Sequence, residues 1–181
     1  LLRFVILSLI LWNYLKLKII NTSDYKINSN YLFFFLFLIF FQIVIGAFVS
    51  GMDAGRIYNS WPLMGNSYFP DDSNYFSLFK LSAFSEPSLV QFMHRNLAYL
   101  ICAFYIFILV KIYKYKFENL YKAINIVGIL LLTQILLGIF TLLYGAQIIL
   151  ASMHQISSIF LVSSSIYLLY LNSSSNLLPS N

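Results

Sequence analysis

Charge is what this sequence has least of. Only 9% of its 181 residues are Asp, Glu, Lys or Arg, against about 25% in a soluble globular domain, which excludes a water-soluble fold. The one cysteine, Cys102, sits inside an apolar run; it has no partner for an intrachain disulfide and reads as a small packing residue. There are two histidines and six acids, too few for a dense metal-binding cluster. The opening Leu1-Leu2-Arg3 has no Met, and the first apolar stretch has no small-residue cleavage site. It is therefore not read as a signal peptide, and the chain is expected to be a piece of something longer. Nothing marks a second soluble domain.

What is present is apolar: 60% hydrophobic and 19% aromatic residues. At about 20 residues per span, this length allows four or five transmembrane helices. The predicted fold is an all-α integral membrane protein, a four-helix transmembrane bundle with one preceding, partial transmembrane helix. The net charge of +5 does not point to nucleic acid, because the lysines cluster beside apolar runs, as the positive-inside rule expects. The partner implied is the lipid bilayer.

In chain order, 1–20 reads as the end of a preceding helix, with Lys16 and Lys18 at its C-terminal end. Residues 21–30 form a polar turn, and a span follows from Tyr31 to about Ser50. Segment 51–87 holds Gly55, Pro62, Gly65 and Pro70, most of the acids and many aromatics. That composition predicts a folded cap at the membrane interface. Ser85-Glu86-Pro87 reads as a helix start, with a polar cap, an early acid and a proline whose missing N–H does no harm. The third span should reach about Val110 and the fourth should cover Ala123 to Leu143. A tight turn at Tyr144-Gly145-Ala146 leads to a fifth span from Gln147 to Leu171, and 172–181 reads as a frayed tail. The four-helix bundle is thus 31–171, with the outer loop 51–87. Lysines 16, 18, 26, 111, 114, 116 and 122 lie on one side, so that side is expected to be cytoplasmic or matrix and the long loop periplasmic or intermembrane.

His94 and His154 are the unusual feature, since ionisable groups at membrane depth are costly and need a reason. Each lies seven residues into a span that starts at the outer face, Pro87 for one and Gln147 for the other. A rise of 1.5 Å per residue puts both roughly 10 Å below that face. Two imidazoles at one level on parallel helices suit axial ligation of a haem, one on each side of the iron. Leu97, Ala98 and Ile101 beside one, and Ala151, Ser157, Ser158 and Leu161 beside the other, leave room for a flat macrocycle or simply allow close helix packing. Arg95 could meet a haem propionate or pair with a carbonyl or acid. Asp53 and Arg56 could shape the loop or the cofactor edge. A weak repeat precedes both histidines, Gln42-x-x-x-Gly46 and Gln134-x-x-x-Gly138, and suggests a two-fold bundle whose glycines admit the haem edge.

A longer pattern is more specific. Gln42-x-x-x-Gly46-Ala47-x-Val49-x-Gly51-x-Asp53-Ala54-Gly55-x-x-Tyr58-Asn59-Ser60-x-Pro62-x-Met64-Gly65 is followed by Pro70 and by Val90-Gln91-Phe92-x-His94-Arg95. Thr133-Gln134-x-x-Leu137-Gly138-Ile139-x-Thr141-Leu142 and His154-Gln155 complete it. In this order the residues resemble the C-terminal half of the haem A synthase family, COX15-CtaA. The resemblance implies eight helices in two similar halves, each with a histidine pair, and oxidation of the haem O methyl group to the formyl group of haem A for cytochrome oxidase. It implies that His94 and His154 hold a haem b, with Arg95 near it, and that the substrate site lies in the other half, absent from this sequence. No catalytic residue is assigned in this half, which should be inactive alone and serve in electron transfer or support. Haem O is the implied substrate of the whole enzyme, with haem O synthase and an electron donor as implied partners and an oligomer left open. Without cysteines in the outer loop, a disulfide-linked mechanism is excluded for this half.

Two other functions fit the histidines alone. One is a bis-histidine, cytochrome b-like membrane subunit that only passes electrons. The other is a transporter with a histidine proton relay, which would carry no haem.

Overall fold

A computed structural model describes residues 2–17 and 26–173. Five helices run through it: α1 (Leu2–Lys16), α2 (Ser29–Gly51), α3 (Pro87–Lys114), α4 (Glu118–Leu143) and α5 (Ile148–Ser173). There is no strand among the described residues. Helices α2 to α5 are each long and apolar enough to cross a membrane, and the protein is an all-α integral membrane protein. Lys18, residues 21–25 of the expected polar turn and residues 174–181 of the expected tail lie outside the described residues.

The four long helices alternate in direction, so that α2 and α3 form one hairpin and α4 and α5 another. Neighbours around the bundle are α2 with α3, α3 with α4, α4 with α5, and α5 with α2, while α1 packs against α5. That order leaves α3 and α5 on one diagonal. At the end away from residues 52–86 the bundle is solid, with Phe35, Ile108, Ile112, Leu120, Ile124 and Leu168 nearly inaccessible. Towards the outer end, which bears residues 52–86, the buried positions of α4 stop at Leu131 and those of α5 begin only at Leu161. The packed core therefore occupies the inner half, and the histidine level lies above it.

Several boundaries differ from the sequence expectation. Helix α2 begins at Ser29, inside the expected turn, because the Asn28 side chain accepts a hydrogen bond from the Asn30 N–H at 2.9 Å and caps it. Helix α3 runs one turn past Val110: its last-turn lysines suit the helix dipole, and Lys111 Nζ lies 5.1 Å from the ring centres of both Tyr31 and Phe107. Helix α4 starts at Glu118, so the basic stretch is helix on both sides of a very short turn. Lys116, at φ 54°, reverses the chain there, with the Phe117 N–H bonded to the Ile112 carbonyl and the Lys116 N–H to the Tyr113 carbonyl. The same bond pattern closes α4, where Gly145 takes φ 69°. At the start of α3 the cap is Glu86, without a side-chain capping bond, and Pro87 follows at the first helical position.

Asn172, where the expected tail begins, is held inside the bundle. It is 1% exposed, its Oδ1 accepts from the Ile27 N–H at 3.0 Å, and its Nδ2 donates to the Ile27 carbonyl at 2.9 Å and to Ser29 Oγ at 3.0 Å. A polar side chain buried this deeply is stable only because all three bonds are made.

Candidate functional site

The diagonal places His94 of α3 opposite His154 of α5. Their ring centres are 6.5 Å apart and their planes are inclined by 77°. Both Nδ1 atoms are buried without a hydrogen-bond partner, an expensive arrangement for polar groups in an apolar interior. Among the described residues no three His, Cys, Asp or Glu side chains converge, so what the chain offers a metal at this level is the imidazole pair.

Each ring rests on the helix before its own. A Cβ added at Gly46 of α2 would lie 3.1 Å from His94 Cε1, and one added at Gly138 of α4 would lie 3.2 Å from His154 Cε1. The glycines expected to admit a cofactor edge lie directly under the histidines where α2 crosses α3 and α4 crosses α5, and each also lines one of the spaces beside the rings. The glutamines one turn earlier hold the same two places. Gln42 Nε2 donates to the His94 carbonyl at 3.0 Å and lies 3.3 Å from His94 Nε2. Gln134 Oε1 accepts from Ser157 Oγ at 2.5 Å, and that hydroxyl is 3.1 Å from the His154 carbonyl.

The histidine level is hollow. A cavity of about 210 Å³ is lined by both histidines, both glutamines, Ala98, Leu161, Trp61 and Tyr99. A second space of about 630 Å³ shares the histidines and reaches α1, where Arg3, Phe4 and Leu7 line it together with Asp53 and Gln155.

The outer segment is folded, and Arg95 makes three of the bonds that hold it against α3. Its Nη1 donates to the carbonyls of Ser60 at 2.9 Å and Leu63 at 3.2 Å, and its Nη2 donates to that of Tyr58 at 2.9 Å. Of the partners left open for Arg95, carbonyls are the ones observed; it also lines the smaller cavity. Gln91, 3% exposed, adds a bond to the Tyr58 carbonyl at 3.1 Å. Asn59 Nδ2 reaches the Leu142 carbonyl at 2.8 Å, tying the segment to the end of α4. Trp61 Nε1 donates to Tyr99 Oη at 3.0 Å. The Tyr58 hydroxyl donates to Asp71, and burial, that bond and the nearby Asp72 push its pKa up to about 12. Asp53, at φ 50°, starts a short 3-10 turn through Arg56, and it also lines the larger space. Gly55 sits against Ala146, where a Cβ would come within 3.3 Å.

Sequence reasoning missed Ser157 as a partner of Gln134, and Gly128, where an added Cβ would overlap the Tyr105 hydroxyl at 2.0 Å. The i, i+3 spacing of His154 and Ser157 was a usable signal for the first. The second had none, since it depends on how α3 crosses α4.

No solved structure matches this chain. Among curated proteins, a haem A synthase of Pelagibacter ubique is 45% identical over 172 residues, covering 95% of this chain and 51% of the relative. One from Rickettsia africae is 34% identical over 159 residues, 88% of this chain and 47% of the relative. One from Rickettsia bellii is 43% identical over 127 residues, 70% and 37% respectively. The chain thus spans about half the length of the curated relatives it matches. The match to the family of cytochrome oxidase assembly proteins covers residues 1–166, with the glutamines, the folded outer segment and both histidines inside it, and the chain belongs to the COX15-CtaA family.

Proposed function

We propose that this chain is the haem-binding half of a haem A synthase, in which His94 and His154 are the axial ligands of a haem b standing between α3 and α5. The whole enzyme would oxidise the methyl group of haem O to the formyl group of haem A. The observation that carries the reading is the ring separation. Two metal–nitrogen bonds of about 2 Å, with the distance from each nitrogen to its ring centre added, separate imidazole centres by about 6 to 7 Å. The 6.5 Å between His94 and His154 falls in that range. The open space on both sides of the pair fits a planar group held there.

A bound haem would supply one-electron redox chemistry at this place. The chain's own residues bind, orient and shield. Both imidazoles grip, Gln42 and Gln134 fix the turns that carry them, and the 52–86 segment screens the outer end from water. Arg95 fastens that segment and sets a positive charge on the cavity wall, where a propionate would be neutralised. In this reading residues 31–171 form one bundle with its outer loop 51–87, preceded by the end of another transmembrane helix. It lies in a bacterial or mitochondrial inner membrane with the loop on the periplasmic or intermembrane side, as the lysine distribution favours. The partners would be an enzyme that supplies haem O and a redox protein or quinol that exchanges electrons.

The test is the optical spectrum of the purified protein. His94→Ala and His154→Ala are each expected to abolish a low-spin b-type spectrum; unchanged spectra in both variants would overturn the assignment.

A further inference from the structure

The torsion that sets an imidazole's plane is soft, so a histidine on a helix does not fix its own ring angle. Something outside the side chain must. At both histidines the structure supplies the same device. The two ring atoms nearest the glycine are the same in each case, Cε1 and Nδ1, at 3.1 and 3.7 Å from the Cβ position of Gly46 and at 3.2 and 3.6 Å from that of Gly138. A glutamine one turn earlier is bonded to the histidine's own turn, directly for Gln42 and through Ser157 for Gln134. The outcome of the two copies is a pair of rings inclined by 77°.

We infer that Gln42 with Gly46, and Gln134 with Gly138 and Ser157, are positioning residues that hold the two axial imidazoles crossed and not parallel. The inference rests on the bis-histidine reading above. Groups that touch a ligating side chain without touching the metal commonly fix its ring orientation, and here helix backbone does so by close approach. Crossed imidazoles interact with different iron d orbitals and leave them nearly degenerate; parallel ones act on the same orbital and split the pair. In the oxidised low-spin state the first arrangement gives an electron paramagnetic resonance signal with a large g maximum, and the second gives an ordinary rhombic signal.

The experiment records that signal and the haem content of the purified protein. Wild type is expected to show the large-g signal. Gly46→Ala and Gly138→Ala, each of which puts a methyl against a ring, are expected to move it towards the rhombic form. Ser157→Ala adds no volume and should produce a smaller shift in the same direction, readable even where a glycine variant fails to accumulate. A rhombic wild-type signal would overturn the proposal, as would an unmoved signal in all three variants at full haem content. A wild-type protein without haem would instead fail the bis-histidine reading itself.

Discussion

The hairpin α2–α3 and the hairpin α4–α5 are two versions of one unit. In each, a glutamine and a glycine on the first helix receive a histidine from the second. They differ in what joins the helices and in the side chains beside the histidine. The first hairpin carries the long outer segment, fastened by Arg95, Gln91 and Asn59; the second closes with a turn around Gly145. Three residues after His154 stands Ser157, which satisfies Gln134 Oε1. Three after His94 stands Leu97, and Gln42 Oε1 is left buried without a partner. A unit can therefore keep its ligand-holding geometry while its polar bookkeeping diverges.

That comparison can be broken most forcefully at Arg95. Arg95→Ala removes three bonds to loop carbonyls and is expected to loosen the outer segment by about 3 kcal/mol. Limited proteolysis should then cut within 57–69 first, while cleavage at the α4–α5 turn stays as in wild type. Next comes the exchange of the side chains beside the histidines. Ser157→Leu orphans Gln134 Oε1 and should cost about 2 kcal/mol, whereas Leu97→Ser offers Gln42 Oε1 a hydroxyl and should cost less than about 1 kcal/mol despite the lost apolar contact. Thermal unfolding in detergent compares them, and equal losses would end the claim that the two glutamines differ in this way. Asn59→Ala should cost about 1 kcal/mol, read as faster hydrogen exchange in the loop and not in α4.

The smallest effect is at Tyr58. Its pKa is raised from 10.0 to about 12, so its share of loop stability is complete below pH 10 and is lost as pH climbs towards 12. Tyr58→Phe should remove that alkaline dependence, as followed by loop exchange against pH.

Much of this arrangement was legible in the sequence. Apolar runs located four spans, and equal spacing from Pro87 and Gln147 anticipated that His94 and His154 would meet. The aromatic content of 51–87 announced a folded cap. What stayed hidden depends on how helices cross. Gly46 and Gly138 could be seen as close-approach residues, but only the crossing shows that histidines fill the gap. Arg95 had several reasonable partners, and the backbone path of 58–63 decides among them. Asn172 looked like the start of a polar tail because its partner, the peptide group of Ile27, lies 145 positions away in the chain.

That last contact joins the bundle's two ends. Asn172 grips both the N–H and the carbonyl of Ile27, so residues 26–173 begin and end at one point, away from residues 52–86. The order of the hairpins is then a matter of where the gene opens the ring. A circular permutant of 26–173 that begins at Phe117, with a short linker from 173 to 26, would keep both histidines in register but lose α1, which packs against α5.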